Sequence, residues 1–300
     1  MMYTGTEMGM LYLCATPIGN LEDITFRVVR TLKEVDMIAA EDTRNSIKLL
    51  NHFDIHTPMT SYHEHNKYDK AEYLISLMKE GRNVALITDA GTPAISDPGQ
   101  VLVSRAAQEG IAVTSLPGAA ACITALTLSG LDTTAFCFEG FLSRDKKKRN
   151  EVMERLKKES RTMILYEAPH HLKKTLELLS DSLGADRRMA LCRELTKKHE
   201  EVYRVTIGEC LERYRDEEPR GECVLVIEGA DTVRQAEEKA RLYLDMSLEE
   251  HISLYLDGGM DKKEAMKKVA ADRGVSKREV YAGLLRAKSG SSIEEDGNET

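Results

Sequence analysis

The sequence predicts an α/β fold with two domains and a small helical module near its C-terminal end. Up to about residue 130, short apolar runs alternate with amphipathic helical segments, which is typical of a parallel sheet. Over residues 131–230, strand-like runs follow one another through short turns as often as through helices, which indicates a mixed sheet. Beyond about residue 231 the chain reads as charged helices separated by glycines.

These patterns divide the chain into four segments. We expect an N-terminal parallel-sheet α/β domain over residues 10–130 and a second α/β domain with a mixed sheet over residues 131–230. Residues 240–288 form a helical module whose last two segments have a helix-turn-helix outline, so it either contacts RNA or packs as a small bundle. Residues 289–300 carry four carboxylates and no basic residue, and we expect them to be a disordered tail.

Composition favours a cytoplasmic protein that holds no metal. No apolar run approaches the ~18 residues of a membrane span, and the first residues lack the basic-then-apolar pattern of a secretory signal. The six cysteines are scattered, with no CxxC pair and no Cys/His cluster. We therefore expect buried thiols rather than disulfides or a zinc site.

The stretch at residues 84–99 is the strongest candidate for a ligand-binding loop. Its apolar run, residues 84–87, has the length and β-branched character of a buried parallel strand. The dozen residues that follow are rich in Asp, Gly, Pro, Thr and Ser. A loop of this length is longer than most loops of α/β units. Because such a loop lies at the carboxyl end of a sheet, where open α/β folds bind ligands, we interpret it as functional.

Similar loops recur at other strand ends, at residues 16–20, 117–121 and 166–171. They expose backbone N–H and C=O groups beside small side chains, which suits a small polar ligand with an apolar body rather than a polyphosphate. The GxGxxG fingerprint, the P-loop, HExxH and the catalytic triads are absent from the sequence. A nicotinamide-dependent or nucleotide-hydrolysing enzyme is therefore disfavoured.

Basic residues are concentrated in two segments of a chain whose net charge is −8. Residues 144–161 and residues 261–288 each hold nine Lys/Arg against four Asp/Glu. Each segment is either a solvated helical face or a surface for a nucleic-acid backbone. For the first segment we predict RNA contacts from Lys146, Lys147, Lys148 and Arg149.

Seven motifs occur in order over about residues 10–230. They read LYLCATPIGNLEDIT, AAEDTR, ITDAGTPAISDPG, LPGAAA, YEAPHHL, CRELTKKHEE and GECVLVIEG. Together they resemble the tetrapyrrole methylase superfamily, the class III S-adenosylmethionine-dependent methyltransferases. The first turn, ATPIGN, and the central loop, AGTP, are most similar to the branch that methylates the ribose 2′-hydroxyl of a cytidine in the decoding region of 16S rRNA. Relatives that modify tetrapyrroles have more glycine in that turn and read more like GDP in that loop.

The resemblance implies that S-adenosylmethionine binds in the cleft between the two domains, largely through backbone groups. Carried over by position, the cofactor-binding residues are Pro17, Ile18, Gly91, Thr92, Pro93, Ile95, Ala120, Ala121, Tyr166, Cys223 and Val224. It also implies a homodimer whose partner is 16S rRNA or the 30S ribosomal subunit.

Methylation of a ribose hydroxyl requires that the hydroxyl lose its proton, so a base or a nearby cation is useful. The candidates at strand ends are Glu41, Asp42, Glu167, Glu194 and Lys197, and we favour the charged group Arg193, Glu194 and Lys197. Arg44 and Arg193 can hold a phosphate through two parallel hydrogen bonds. The alternative is structural: helix capping and an ion pair for the first set, and an ion-pair network closing the cleft for the second.

Two other functions remain open on the sequence. A tetrapyrrole C-methyltransferase of the precorrin type would use the same fold with a different acceptor. An RNA-binding ribosome assembly factor could keep the fold without turnover. Absorbance titration with a porphyrinoid would favour the first, and cofactor binding without methylation of RNA would favour the second.

Overall fold

The computed structural model describes residues 8–217, 219–231, 243 and 245–290, with only the backbone of residues 286–290. The chain comprises two compact units, Met1–Gly229 and Ala230–Thr300. The α/β fold class with a C-terminal helical part is confirmed. No helix in the described ranges is long and apolar enough to cross a membrane.

The first sheet contains five parallel strands in the order β3-β2-β4-β1-β5. The strands are β1 (Leu11–Cys14), β2 (Met37–Ala40), β3 (Met59–Ser61), β4 (Val84–Ile87) and β5 (Val113–Leu116). A short 3₁₀ helix, Leu21–Asp23, precedes the helices α1 (Phe26–Glu34), α2 (Thr43–His52), α3 (Lys67–Lys79), α4 (Gly99–Gln108) and α5 (Ala121–Ser129).

β4 is the central strand of this sheet, and its four residues are all buried. Its side chains alternate between the two faces: Val84 and Leu86 join one apolar cluster, and Ala85 and Ile87 join another. Because helices cover both faces, the strand reads as an uninterrupted apolar run. This explains why the sequence identified it so clearly.

The second sheet also has five strands, in the order β6-β7-β10-β8-β9. Its elements are β6 (Phe136–Phe141), α6 (Lys146–Leu156), β7 (Thr162–Glu167), α7 (Pro169–Leu183), β8 (Arg188–Arg193), β9 (Glu201–Thr206), α8 (Ile207–Arg213) and β10 (Cys223–Ile227). Only β6 and β7 are parallel, and the other three pairings are antiparallel. The last strand in sequence, β10, therefore lies in the middle of the sheet.

Helix α5 packs on the second sheet, although its sequence position placed it in the first domain. Its buried residues Cys122, Ala125 and Leu126 join an apolar cluster that includes Val224 and Val226 of β10. The physical reason is the shortness of its side chains, which lets the helix lie close to the strands. The segment that ends at residue 130 thus supplies one face of the second core.

The described part of the C-terminal unit includes the helices α9 (Leu248–Asp257), α10 (Lys262–Asp272) and α11 (Lys277–Gly290). Ser247 and Asp261 cap the first two through hydrogen bonds to backbone N–H groups. Val269 and Val280 are fully buried in its small core. Helix α11 continues to Gly290, two residues into the expected tail, because the helical hydrogen-bond pattern does not stop at residue 288. The remainder of that tail lies outside the described residues.

Stability of the second sheet should depend strongly on Leu225, which is 0% exposed at the centre of β10. Leu225→Ala removes buried methyl groups and leaves a cavity, and we expect it to lower the free energy of unfolding by about 2–5 kcal/mol. The control is Phe26→Ala, because Phe26 is 97% exposed. Chemical denaturation measures both variants. Equal effects would contradict the packing described for β10.

Candidate active site

One cavity lies where loops at the strand ends of the first sheet meet β7 and β10 of the second. Its volume is about 470 Å³, within the range of small-molecule sites. We call it the donor cavity. Its lining residues are Ile18, Glu41, Thr88, Asp89, Ala90, Thr92, Ile95, Ser96, Asp97, Ala120, Ala121, Phe141, Tyr166, Glu167, Ala168, Pro169, Leu195, Glu222, Cys223 and Val224.

Three hydrogen bonds join the loop after β1 to the loop after β4. The Thr16 amide donates to the Gly91 carbonyl at 2.9 Å, and the Gly91 amide donates to the Thr16 carbonyl at 3.0 Å. The buried Thr16 hydroxyl donates to the Thr88 carbonyl at 3.0 Å. These bonds fix the two loops relative to each other before any ligand binds.

A single carboxylate sets the shape of the loop between β4 and α4. Asp97 accepts hydrogen bonds from the backbone N–H groups of Ala94 at 3.0 Å, Ile95 at 3.2 Å and Gly99 at 2.7 Å. Ala94 and Ser96 adopt left-handed backbone conformations, with φ of 68° and 63°. Non-glycine residues avoid this region unless the surroundings enforce it. The backbone of the loop is therefore strained, and the hydrogen bonds to Asp97 keep it in this conformation.

The opposite wall is formed by small and aromatic residues. The Thr92 hydroxyl donates to the Ala119 carbonyl at 2.9 Å, which brings the two loops of the first sheet together. The Tyr166 hydroxyl accepts from the Cys122 amide at 3.1 Å and so joins β7 to the start of α5. Burial raises the pKa of Tyr166, which stays a neutral phenol. Phe141 contacts its ring edge-on.

Two glycines permit the close approach of loops around the cavity. A Cβ at Gly19 would lie 2.4 Å from Cγ of Lys197, so the turn after β1 contacts the turn after β8 directly. Gly140 has a φ of +64°, at an irregularity in the pairing of β6 with β7, and a Cβ there would lie 3.0 Å from Oγ of Ser96. Larger residues would push these loops apart.

The donor cavity is acidic. Five carboxylates line it, those of Glu41, Asp89, Asp97, Glu167 and Glu222, and none of the described lining residues carries a positive charge. Burial, with Glu41 nearby, raises the pKa of Asp89 although Asn45 donates a hydrogen bond to it. Such a lining attracts cations and repels phosphates.

The structure brings together eight of the eleven residues predicted to bind the cofactor, namely Ile18, Thr92, Ile95, Ala120, Ala121, Tyr166, Cys223 and Val224. Pro17, Gly91 and Pro93 are not lining residues; each is adjacent in sequence to one, and Gly91 instead pairs with Thr16.

Sequence reasoning missed several lining residues, above all Phe141, Leu195 and Glu222. Leu195 lies inside the motif CRELTKKHEE, in which only the charged residues were predicted to take part in the reaction. Phe141 ends β6 outside the quoted motifs, and Glu222 precedes β10 inside the motif GECVLVIEG, of which only Cys223 and Val224 were predicted to bind the cofactor. The order of strands in the second sheet alone brings them to the cavity.

Two predicted residues at the end of β2 are used elsewhere. Asp42 caps α2 by accepting from the Arg44 amide at 2.9 Å and pairs with the Arg44 guanidinium at 2.7 Å. The hydrogen bonds from Arg44 lower the pKa of Asp42 to about 2. Neither residue lines the donor cavity, and both make the capping and ion-pair contacts of the structural alternative; the catalytic role of Asp42 and the RNA contact of Arg44 stay predictions. Glu41 does line it, and its carboxylate accepts from the Thr88 hydroxyl at 2.6 Å.

The charged group after β8 forms an ion-pair network beside the cavity. Lys197 Nζ lies 3.0 Å from Glu194 Oε1 and 2.9 Å from Glu222 Oε2. Arg193 points away and lies 3.0 Å from Glu201. None of Arg193, Glu194 and Lys197 lines the cavity itself, but Glu222 does, and it therefore connects Lys197 to the cavity rim.

Protonation states in this network follow from its contacts. Burial alone would lower the pKa of Lys197, but hydrogen bonds to Glu222 and Glu194 outweigh it and raise that pKa. Burial alone would raise the pKa of Glu194, but Lys197 and the Glu222 amide hold it below its usual value. At neutral pH Lys197 is therefore a cation, and it can stabilise negative charge but cannot accept a proton.

The basic residues predicted to contact RNA lie on α6. Lys146, Lys147 and Lys148 are exposed in its first turn. Arg149 is half-buried and donates to the backbone carbonyls of Ser143 and Arg144, each at 3.3 Å. No group of metal-ligating side chains suited to a metal ion occurs in the described part of the chain.

Residues 10–211 match the family described as tetrapyrrole (corrin/porphyrin) methylases. The chain belongs to this family. The resemblance drawn from the seven motifs is thereby confirmed. A relative from Halalkalibacterium halodurans, called ribosomal RNA small subunit methyltransferase I, is 51% identical over 92% of this chain and 94% of its own length. A protein of the same name from Bacillus subtilis strain 168 is 49% identical over 92% of this chain and 94% of its own length.

A solved structure gives the same result for the fold of this family member. The uroporphyrin-III-C-methyltransferase from Thermus thermophilus aligns with a TM-score of 0.52 at 20% identity. The alignment covers 73% of this chain and 94% of that one. At this identity the likeness shows the shared fold alone.

The bracing role of Asp97 can be tested without a ligand. Asp97→Asn removes the charge that accepts three amide hydrogen bonds, and bonds to a charged acceptor are worth about 1.5–3 kcal/mol each. We expect amide hydrogen exchange in residues 94–99 to accelerate about tenfold or more. Asp89→Asn is the matched control, since Asp89 accepts one long side-chain bond of 3.4 Å from Asn45. Unchanged exchange in Asp97→Asn would refute the role.

Proposed function

We propose that this chain transfers a methyl group from S-adenosylmethionine to the ribose 2′-hydroxyl of a cytidine in the decoding region of 16S rRNA. The observation that carries the proposal is the 51% identity, over nearly the whole of both chains, to a protein called ribosomal RNA small subunit methyltransferase I. The proposed partner is 16S rRNA or the 30S subunit, and the proposed setting is a homodimer in the cytoplasm.

The donor cavity fits this cofactor on chemical grounds. S-adenosylmethionine supplies an activated methyl group on a positively charged sulfur, and its ammonium and carboxylate groups offset each other, which leaves one net positive charge. The five carboxylates of the lining favour such a cation. The alanines at 120 and 121 and the side chain of Ile95 offer apolar surface for the remainder, with the Thr92 loop supplying backbone polar groups.

Positioning accounts for much of the expected rate. The reaction forms a bond between the ribose oxygen and the methyl carbon while the carbon–sulfur bond breaks, and the hydroxyl proton leaves. The rigid loop that Asp97 holds and the fixed Tyr166 wall keep the reacting groups aligned and exclude water. The proposed proton acceptor is Glu41, which lines the cavity.

Lys197 has a different proposed role. As a cation next to Glu222 at the rim, it would stabilise negative charge that develops on the ribose oxygen. Glu194 would keep the lysine protonated and in place, and Arg193 would brace the same turn through Glu201. The exposed lysines at 146–148 would attract the RNA backbone from outside the cavity.

The decisive experiment uses labelled S-adenosylmethionine and 30S subunits from cells that lack the modification. We expect one labelled methyl group per subunit, mapped by nuclease digestion and mass spectrometry to a cytidine ribose of the decoding region. Free 16S rRNA is tested in parallel to identify the natural substrate. Cofactor binding without label in RNA, or methylation of a porphyrinoid in place of RNA, would overturn the proposal.

Lys197→Ala should lower kcat by about a hundredfold, because a positioned group that assists proton loss or charge development is worth about that much. Cofactor affinity, measured by calorimetry, should stay within a few-fold, since Lys197 does not line the cavity. Lys197→Arg should restore part of the rate. The matched control is Lys198→Ala, because Lys198 is exposed. A normal kcat in a folded Lys197→Ala protein would exclude the role.

A further inference from the structure

A second cavity adjoins the donor cavity. Its volume is about 410 Å³, and we call it the basic pocket. The two cavities share Phe141, Glu167 and Ala168 as a common wall. The other lining residues are Leu142, Ser143, Arg144, Arg149, His171, Lys174, Thr175 and Leu178, from the end of β6, from α6 and from α7.

The charge of this pocket is opposite to that of its neighbour. Arg144, Arg149, His171 and Lys174 line it, and its one carboxylate is that of Glu167. Both oxygens of that carboxylate are already used: one accepts from the Ala168 amide at 2.8 Å, the other from the Thr175 hydroxyl at 2.5 Å.

Three cations of the pocket have no ion-pair partner among the residues that the structure describes. Within the described residues, no carboxylate lies within 4.0 Å of Arg144, Arg149 or Lys174. By contrast, Arg155, which lies on α6 as Arg149 does, forms an ion pair with Glu139. Unpaired cations facing one concave surface favour an anionic ligand.

Arg149 shows the same preference at the level of single atoms. Its Nη1 is held by the two carbonyl bonds from residues 143 and 144, which orient the guanidinium. Its Nε is buried and has no hydrogen-bond partner. A buried donor without an acceptor is costly, and a guanidinium fork matches the oxygens of a phosphate.

We propose that the basic pocket binds a backbone phosphate of the RNA next to the nucleotide whose ribose enters the donor cavity. This rests on the proposed function. The ribose then lies against the shared wall, and Phe141, which is 58% exposed there, offers its ring for stacking of a base. The acidic donor cavity excludes the phosphate, and the basic pocket takes it.

The test measures equilibrium binding of a fluorescent RNA fragment that spans the decoding region, at several salt concentrations, with S-adenosylhomocysteine present. The variants are Lys174→Gln, Arg149→Gln and Arg149→Lys. The matched control is Lys173→Gln, because Lys173 lies next to Lys174 on α7 but donates to the Arg215 carbonyl outside the pocket. Calorimetry with S-adenosylhomocysteine monitors the donor cavity in every variant.

We expect Lys174→Gln and Arg149→Gln each to weaken RNA binding about tenfold near 0.1 M salt and to flatten the slope of log affinity against log salt by about 0.7, the effect of one lost phosphate contact. Arg149→Lys should keep the slope and lose part of the affinity, since it keeps the charge without the fork. Cofactor-product affinity should not change in any variant. Because Lys174 is exposed, we expect Lys174→Gln to keep the fold. Its result therefore stands if Arg149→Gln is unstable.

Wild-type affinity and salt slope in Lys174→Gln and in a folded Arg149→Gln would overturn the inference, even if the wild-type protein methylates 30S subunits. Loss of affinity in these variants but not in Lys173→Gln would uphold it, even if the methylated nucleotide proves to be another one. The two proposals can thus fail separately.

Discussion

The donor cavity depends on one partly buried interaction, in which the Asp97 carboxylate accepts hydrogen bonds from three backbone amides. The loop that it organises contains Ala94 and Ser96 in left-handed conformations, each of which costs about 1–3 kcal/mol for a residue with a side chain. The hydrogen bonds between Thr16 and Gly91 join this loop to the turn after β1. A folded chain therefore holds the site in shape at the expense of local strain.

Local patterns predicted most of the first sheet. A buried parallel strand reads as a continuous apolar run, and a long polar loop at its carboxyl end has few roles other than ligand binding, so β4 and its loop were recognisable. The sequence could not reveal which wall faces that loop. Phe141 and Glu222 come from strand ends separated by most of the second domain, and both line the cavity because β10 inserts between β7 and β8.

Charged residues were the least predictable part of the site, because a sequence does not say whether a charge faces a ligand or another charge. Asp42, a candidate catalytic residue, caps a helix and forms an ion pair. Glu194 and Thr196 adopt left-handed backbone conformations, with φ of 49° and 64°. Neither residue type predicts such a conformation. That turn places Lys197 between the carboxylates of Glu194 and Glu222, a pairing that depends on the fold rather than on any local pattern.

The acidic lining has a consequence for turnover under the proposed function. Once the methyl group has left, the cofactor's sulfur is a neutral thioether in the place where a cation had been. A carboxylate about 4 Å from that sulfur would then lose an attraction of about 1 kcal/mol in water-like surroundings and about 4 kcal/mol at an effective dielectric constant of 20. The same charges that would recruit the fresh donor would therefore attract the spent one less strongly, which would favour release of the product.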